Sequence, residues 1–163
     1  MNSYSNKVLQ HFKNPHNYGK IKKPDGVGEV GNIVCGDVMY LYIKVDKHEV
    51  IKDVKFETYG CVAAIATSSV ITDLAKGKTI EEALKLNKDS VINSLETLPP
   101  IKIHCSLLAV DALTEAIYDY LSKNKKPIPE KLEQKHQTIL KQKKLVEKRY
   151  RNWVELERKL KHT

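Results

Sequence analysis

The sequence predicts an α+β domain, in which a three-stranded antiparallel sheet carries helices on one face and is followed by a C-terminal helical extension. Two segments, VMYLYIKV at 38–45 and IKDVKFETY at 51–59, alternate apolar and polar residues as paired strands do. Residues 61–121 then show apolar spacing typical of helices. Strands followed by a block of helices are typical of α+β folds. With 163 residues, 41% of them hydrophobic, the chain is long enough for one ordinary core.

The N-terminal sequence pattern predicts a short helix followed by a turn-rich segment. Val8, Leu9 and Phe12 have the spacing of one helical face. The stretch 14–31 contains four of the seven glycines, which indicates turns. We expect residues 27–34 to add a third strand to the hairpin.

Four helices are predicted between the hairpin and residue 121. The segment AAIATSSVITDLAK forms the first and ends at Gly77, and Thr79 with Glu82 predicts a capping box for a short helix. Another short helix covers about 89–95, and Pro99-Pro100 interrupts the pattern. A longer helix at about 103–121 places five residues along one stripe: Leu107, Leu108, Ala112, Ala116 and Tyr120.

The positive charge is confined to the C-terminal part of the chain. Residues 1–122 contain 14 Lys/Arg against 15 Asp/Glu, whereas residues 123–163 contain 14 against 5. Pro127 and Pro129 mark the boundary, because proline stops one helix and can open another. The sequence therefore predicts a nearly neutral domain at 1–122 and a basic extension at 123–163.

The extension predicts a long, moderately amphipathic helix. Apolar residues recur there every seven positions: Leu132, Ile139, Val146, Trp153 and Leu160. Docking on its own domain or on a dimer mate is our first interpretation, and an acidic protein partner is the second. Binding of the extension to nucleic acid or to a membrane surface is our third interpretation. Its positive and negative charges are interspersed, and no cluster of aromatic residues in a loop accompanies them.

The chain is expected to be a soluble cytoplasmic protein without structural disulfides. No apolar run reaches membrane-spanning length, and the segment MNSYSNKVLQHFKN lacks the apolar core of a secretory signal. Three cysteines, an odd number, argue against a disulfide framework. Buried packing, metal binding and catalysis remain as their roles.

All three cysteines lie at predicted element ends. Cys35 follows a strand, and Cys61 and Cys105 open helices, where unpaired N–H groups favour the thiolate. Asp37 and His104 are candidates to complete a four-ligand set. The intervening segments of 25 and 43 residues match no C-x-x-C zinc pattern. Spacing alone therefore leaves open a shared site or three separately buried thiols.

Four sequence blocks surround or precede the candidate ligands: CGDVM at 35–39, YGCVAAIATSS at 59–69, LPPIKIHCSLLA at 98–109 and the turn NPHNYG at 14–19. Together they resemble the IscU family, the scaffold proteins of iron–sulfur cluster assembly. The resemblance extends from about Ser3 to Leu121, in order and at the family's spacing.

The resemblance implies a carrier, not an enzyme, on which a labile [2Fe–2S] cluster is built from iron and sulfur and then transferred to apo-protein acceptors. Cys35, Asp37, Cys61 and Cys105 would ligate the cluster, and Cys105 would accept persulfide sulfur. His104 would be an alternate ligand, or a ligand to Zn²⁺ in the cluster-free form. The carboxylate is a harder ligand than thiolate, so we expect the cluster to be held loosely and the ligands to lie near the surface.

The resemblance also implies partners. A cysteine desulfurase of the IscS type would deliver sulfur, and a frataxin-like protein or a ferredoxin would assist. The DnaK-like chaperone HscA, with its co-chaperone HscB, would bind the segment Leu98, Pro99, Pro100, Ile101 and Lys102. Proline at two adjacent positions favours an extended backbone suited to a peptide groove. A homodimer stays open, and no membrane or nucleic-acid partner is implied.

One departure and two alternatives accompany the resemblance. Val62 stands where the family usually has glycine, which adds a branched side chain beside the site. The first alternative is a zinc-containing, SufU-like sulfurtransferase. The SufU branch of the family has an insertion before the last cysteine and lacks the Leu-Pro-Pro segment and the histidine. This chain has no such insertion and has both features, so the sequence favours the scaffold. The second alternative is a structural zinc or interaction module.

Overall fold

A computed structural model describes residues 4–31 and 37–161 of the chain. The sheet has three antiparallel strands in the order of the sequence: β1 (Gly26–Gly31), β2 (Val38–Val45) and β3 (Ile51–Tyr59). Leu41 in the central strand lies opposite Gly28 on one side and Phe56 on the other. The predicted hairpin and third strand are confirmed. The expected continuation of β1 over residues 32–34, together with Cys35, lies outside the described residues.

The helices predicted from the sequence are present. They are α1 (Asn6–Lys13), α2 (Val62–Ala75), α3 (Ile80–Ala83), α4 (Lys88–Ser94), α5 (Ile103–Lys123) and α6 (Glu130–Lys161). As predicted, Thr79 caps α3 by accepting a hydrogen bond from the Glu82 backbone N–H, and Gly77 adopts a positive φ of 85° just after α2. Within the described ranges, no helix combines the length and the hydropathy needed to cross a membrane.

The core lies between one face of the sheet and helices α2 and α5. Met39, Leu41, Ile43 and Phe56 are buried on the inner face, whereas Tyr40 on the opposite face is half-buried. The alternation of residues along the strands therefore arises because one face of the sheet is buried and the other is partly exposed. This arrangement confirms the predicted α+β class with helices on one face.

The stripe predicted for α5 is correct except at one position. Leu108, Ala112, Ala116 and Tyr120 are buried, but Leu107 is 45% exposed. Successive helical residues differ by about 100° in direction, so Leu107 and Leu108 do not share a face. The structure buries Leu108, and Leu107 points away from the core.

Helix α5 approaches strand β1 closely because β1 contains glycine where the two elements meet. A Cβ atom added at Gly28 would lie 2.0 Å from the Ala112 carbonyl oxygen, and one at Gly26 would lie 2.1 Å from the Ala116 carbonyl oxygen. Strand backbone thus rests directly on helix backbone. This contact fixes the position of α5, whose first turn carries Cys105.

Helix α6 packs antiparallel to α5 and returns towards the end that carries Cys105. Near the start of α6, the imidazole of His136 stacks on the Tyr118 ring and contacts the Glu115 carboxylate at 2.8 Å. Farther along, Val146 and Leu108 line a common cavity of about 170 Å³. The direction of α6 therefore brings its second half to the first turn of α5.

The described residues of the predicted apolar stripe become more exposed along α6. Leu132 and Ile139 are 4% and 7% exposed, Val146 is half-buried and Leu160 is 67% exposed. The side chain of Trp153 lies outside the described residues. The first half of α6 is therefore docked on the domain through Leu132 and Ile139.

Replacing Ile139 with alanine should lower the free energy of unfolding by about 2 kcal/mol, because the substitution leaves a cavity against α5 and β1. Leu145→Ala in the same helix is the matched control: Leu145 is 57% exposed, so its loss should change stability by less than about 0.5 kcal/mol. Urea unfolding of the full chain measures both. Equal effects of the two variants would contradict the docking of α6.

Candidate metal and cluster centre

The structure brings two of the three cysteines together. Cys61 is the N-cap of α2 and Cys105 lies in the first turn of α5, and their sulfur atoms are 3.9 Å apart. The Thr67 hydroxyl donates a hydrogen bond to the Ala63 carbonyl oxygen at 2.8 Å and lies 3.2 Å from the Cys105 carbonyl oxygen. Contact between α2 and α5 therefore sets the distance between the two sulfurs.

Asp37, which immediately precedes β2, supplies the carboxylate of the site. Its Oδ2 lies 3.9 Å from Cys61 Sγ and 4.0 Å from Cys105 Sγ. A Cβ atom at Gly60 would lie 2.7 Å from the Ala64 Cβ and 3.0 Å from the Asp37 Cγ. The absence of a side chain at Gly60 thus leaves the space that the carboxylate occupies.

His104 adds an imidazole beside Cys105. Its Nε2 lies 3.5 Å from Cys105 Sγ, and the ligand atoms of Asp37, His104 and Cys105 all lie within 4.8 Å of one another. Ligands 2.0–2.3 Å from a tetrahedral ion lie about 3.3–3.8 Å from each other. The distances from Cys105 Sγ to His104 Nε2 and to Asp37 Oδ2, 3.5 and 4.0 Å, are close to these values, so these three side chains can hold one metal ion.

The site is more enclosed than the sequence suggested. Asp37 and Cys105 are 5% and 1% exposed, whereas Cys61 and His104 are half-buried. The expectation that all ligands lie near the surface is therefore wrong for Asp37 and Cys105. Their position beneath the junction of α2, α5 and β2 explains the burial. Approach to the site is easiest from the side of Cys61 and His104.

Two further residues lie in the electrostatic field of the thiols. The pKa of Lys102 is raised, mainly by the negative charge of a Cys61 thiolate. The pKa of Tyr4 is raised mainly by burial; the Lys102 ammonium lowers it, and the two thiolates raise it further. Sequence reasoning placed Lys102 in a partner-binding segment and missed Tyr4, because no spacing signal connects an N-terminal tyrosine to residue 61 or 105.

The segment Leu98–Lys102 is less extended than expected. Leu98 and Pro99 are buried, and Pro99 is the residue with the extended conformation, at φ −54° and ψ 139°. Pro100–Lys102 forms a 3₁₀ turn, in which the Lys102 N–H donates to the Pro99 carbonyl oxygen at 2.8 Å. Ile101, 75% exposed, is the most accessible apolar residue of this segment.

The departure noted at Val62 can also be placed. Val62 is the first residue of α2, directly after Cys61, and its half-buried side chain packs against the core. The branched side chain is therefore accommodated in the interior.

An α+β domain that gathers thiols, a carboxylate and an imidazole at the ends of separate elements defines a metal-binding or cluster-binding class of protein. Within that class, the chain belongs to the family of the NifU-like N terminal domain, whose model matches residues 3–127.

Relatives of the chain carry names from iron–sulfur cluster assembly. The chain is 62% identical over 123 residues to the iron-sulfur cluster assembly scaffold protein IscU 1 of Archaeoglobus fulgidus, covering 76% of this chain and 80% of the relative. It is 52% identical over 124 residues to IscU of Haemophilus influenzae, covering 74% and 98%. The mitochondrial iron sulfur cluster assembly protein 1 of Debaryomyces hansenii is 54% identical over 124 residues, covering 74% and 69%.

Solved structures share the fold. A putative iron-sulfur cluster assembly scaffold protein for the SUF system from Fervidobacterium islandicum aligns with a TM-score of 0.60 and 30% identity, covering 70% of this chain and 96% of that one. A NifU-like N-terminal protein from Brucella abortus aligns with a TM-score of 0.61 at 23% identity, covering 72% and 94%, which supports the fold alone.

Proposed function

We propose that the protein is a scaffold on which a labile [2Fe–2S] cluster is assembled from iron and desulfurase-derived sulfur and from which it is transferred to acceptor proteins. The observation that carries the proposal is the convergence of Asp37, Cys61 and Cys105, with the ligand atoms 3.9–4.0 Å apart. The names of the relatives at 50–62% identity support the same function.

The proposed ligands of the cluster are Cys35, Asp37, Cys61 and Cys105. Three thiolates are soft ligands suited to iron that is bridged by sulfide. A cluster has two irons and needs more room than the single-ion arrangement of the described residues. Cys35, two residues before Asp37, is the candidate for the remaining ligand position, and His104 is the alternate ligand.

Cys105 is the proposed acceptor of sulfur. Its thiolate would attack the terminal sulfur of a persulfide on the desulfurase. One S–S bond forms on Cys105 and another breaks, so the desulfurase recovers its thiolate and the oxidation level is conserved. The position of Cys105 between Cys61 and His104 places the acquired sulfur among the other proposed ligands.

Asp37 is the ligand that we expect to control release. A carboxylate oxygen competes less well than thiolate for sulfide-bridged iron, so it provides the weakest bond of the set. Asp37→Ala should still incorporate iron and sulfide but should transfer the cluster to an apo-ferredoxin about tenfold more slowly.

Transfer kinetics followed by circular dichroism, with pre-loaded scaffold and excess acceptor, measure this effect. Asp53→Ala, a change on the half-buried outer part of β3, is the matched control. Unchanged transfer rates in Asp37→Ala would contradict the role assigned to the carboxylate.

The partners of the scaffold are proposed on the same basis. The exposed Ile101 next to buried Leu98 and Pro99 presents a small apolar projection beside the site. We assign it to recognition by an HscA-type chaperone with its co-chaperone HscB. A cysteine desulfurase, a frataxin-like protein or ferredoxin, and apo-protein acceptors would approach the half-buried Cys61 and His104.

A zinc-containing sulfurtransferase is the second candidate function. It is favoured by the grouping of Asp37, His104 and Cys105, whose ligand atoms lie within 4.8 Å of one another and can hold a single ion. Metal and sulfide analysis after anaerobic purification distinguishes the candidates. Iron with acid-labile sulfide supports the scaffold. Stoichiometric zinc with desulfurase-dependent thiol cycling supports the sulfurtransferase, and inert zinc supports a structural role.

A further inference from the structure

A second group of metal-ligating side chains lies away from the thiols. His11 in α1, His16 in the loop that follows and Asp73 in α2 each offer one ligand atom, and these atoms lie within 4.8 Å of one another. Asp73 is 12 residues beyond Cys61, which corresponds to about 18 Å along α2. The group is therefore separate from the proposed assembly site.

Neighbouring polar groups hold these three side chains in place. The Nδ1 atom of His11 is hydrogen-bonded to the Ser69 hydroxyl at 2.8 Å, and the His16 backbone N–H donates to the same hydroxyl oxygen at 2.8 Å. The Asn17 side chain donates to Asp73 Oδ1 at 3.1 Å. Such outer contacts orient ligands at metal sites, and the His11 tautomer that donates from Nδ1 to the Ser69 hydroxyl presents the lone pair of Nε2 to an ion.

The chemistry of the group suits a divalent transition ion. Two imidazoles with one carboxylate bind Fe²⁺ or Zn²⁺ and leave further coordination positions for water. The two histidine rings lie 4.7 Å apart, centroid to centroid.

The alternative role is a surface ion pair. His16 Nδ1 lies 2.5 Å from Asp73 Oδ2, and the two side chains are 51% and 41% exposed. Two ligands of one ion lie about 3.2 Å apart or more, so an ion would replace the shared proton and open this contact by less than an ångström. A pair that is this exposed contributes little to stability. His11 does not belong to this pair, so the pair does not explain why three ligand atoms lie within 4.8 Å of one another.

From this convergence we infer that His11, His16 and Asp73 form a second metal site, which binds a divalent transition ion such as Zn²⁺ or Fe²⁺ independently of the thiols. The site has no thiolate, so it takes a single ion and no iron–sulfur cluster. It is accessible to solvent because His16 and Asp73 are both exposed.

Substituting His16 with arginine separates the two roles. Arginine keeps the positive charge opposite Asp73 but provides no metal ligand. The full chain, without a polyhistidine tag, is titrated with Zn²⁺ and bound metal is measured by equilibrium dialysis. His16→Arg should bind about one ion fewer per chain than wild type. His48→Arg, which changes an exposed histidine in the β2–β3 turn, should bind as wild type does.

A second measurement localises the ion without a variant. Zn²⁺ added beyond the amount that saturates the thiols should shift the ring proton resonances of His11 and His16 and leave those of His48 and His136 unchanged. The inference is overturned if His16→Arg and His48→Arg bind equal amounts of metal, or if the His11 and His16 resonances do not respond.

Discussion

Replacing Cys105 with serine is expected to abolish cluster assembly and to leave the fold intact. The sulfur of Cys105 lies 3.9 Å from Cys61 Sγ and 3.5 Å from His104 Nε2, at the centre of the proposed ligand set. Serine has nearly the same shape, but its hydroxyl is a hard, protonated group and forms no persulfide. We expect the yield of acid-labile sulfide to fall more than about tenfold after reconstitution with a desulfurase, cysteine and iron.

The Cys105→Ser experiment needs a control for folding, because residue 105 is 1% exposed. Far-UV circular dichroism and urea unfolding of the same preparation show whether α5 is retained. Leu107→Ala, two residues farther along α5 and 45% exposed at this position, should assemble the cluster as wild type does. A folded Cys105→Ser protein with wild-type sulfide content would contradict the assignment of Cys105.

Replacing Gly28 with alanine is expected to have the largest effect on stability. The added Cβ would lie 2.0 Å from the Ala112 carbonyl oxygen and 2.8 Å from the Ala116 nitrogen, so it meets backbone atoms that no rotamer change can move. Strand β1 has to separate from α5. We expect a loss of about 4 kcal/mol or more in the free energy of unfolding, at the upper end of single-substitution effects.

Gly31→Ala is the matched control in the same strand. Its added Cβ would lie 3.6 Å from the nearest atom of the described residues, the Asp37 carbonyl oxygen, which is ordinary van der Waals contact. Its unfolding free energy should stay within about 1 kcal/mol of wild type. Similar urea midpoints for Gly28→Ala and Gly31→Ala would show that β1 and α5 are not held together by backbone contact.

A displaced α5 would also disturb the metal and cluster centre. Helix α5 carries His104 and Cys105 in its first turn, whereas Cys61 belongs to α2 and Asp37 precedes β2. The ligand distances depend on how these three elements pack. We therefore expect any folded fraction of Gly28→Ala to assemble the cluster poorly, although its ligands are intact.

The elements and the ligand candidates were predictable from local features of the sequence. Period-two alternation identified β2 and β3 because one face of the sheet is buried, and Thr79 and Gly77 identified helix ends because capping depends on a few adjacent residues. The pattern of the extension likewise predicted α6. All of these signals act over a few residues and can be read locally.

Residue spacing left open which side chains meet; the family resemblance implied a shared site, and the packing of the elements shows how it forms. Cys61 and Cys105, 44 positions apart, become neighbours because α2 and α5 pack on the same face of the sheet, and Asp37 is buried there because Gly60 leaves it room. The convergence of His11 and His16 with Asp73 has the same origin. Contacts between distant segments depend on the shape of the whole core, and a periodic pattern along the chain contains no information about that shape.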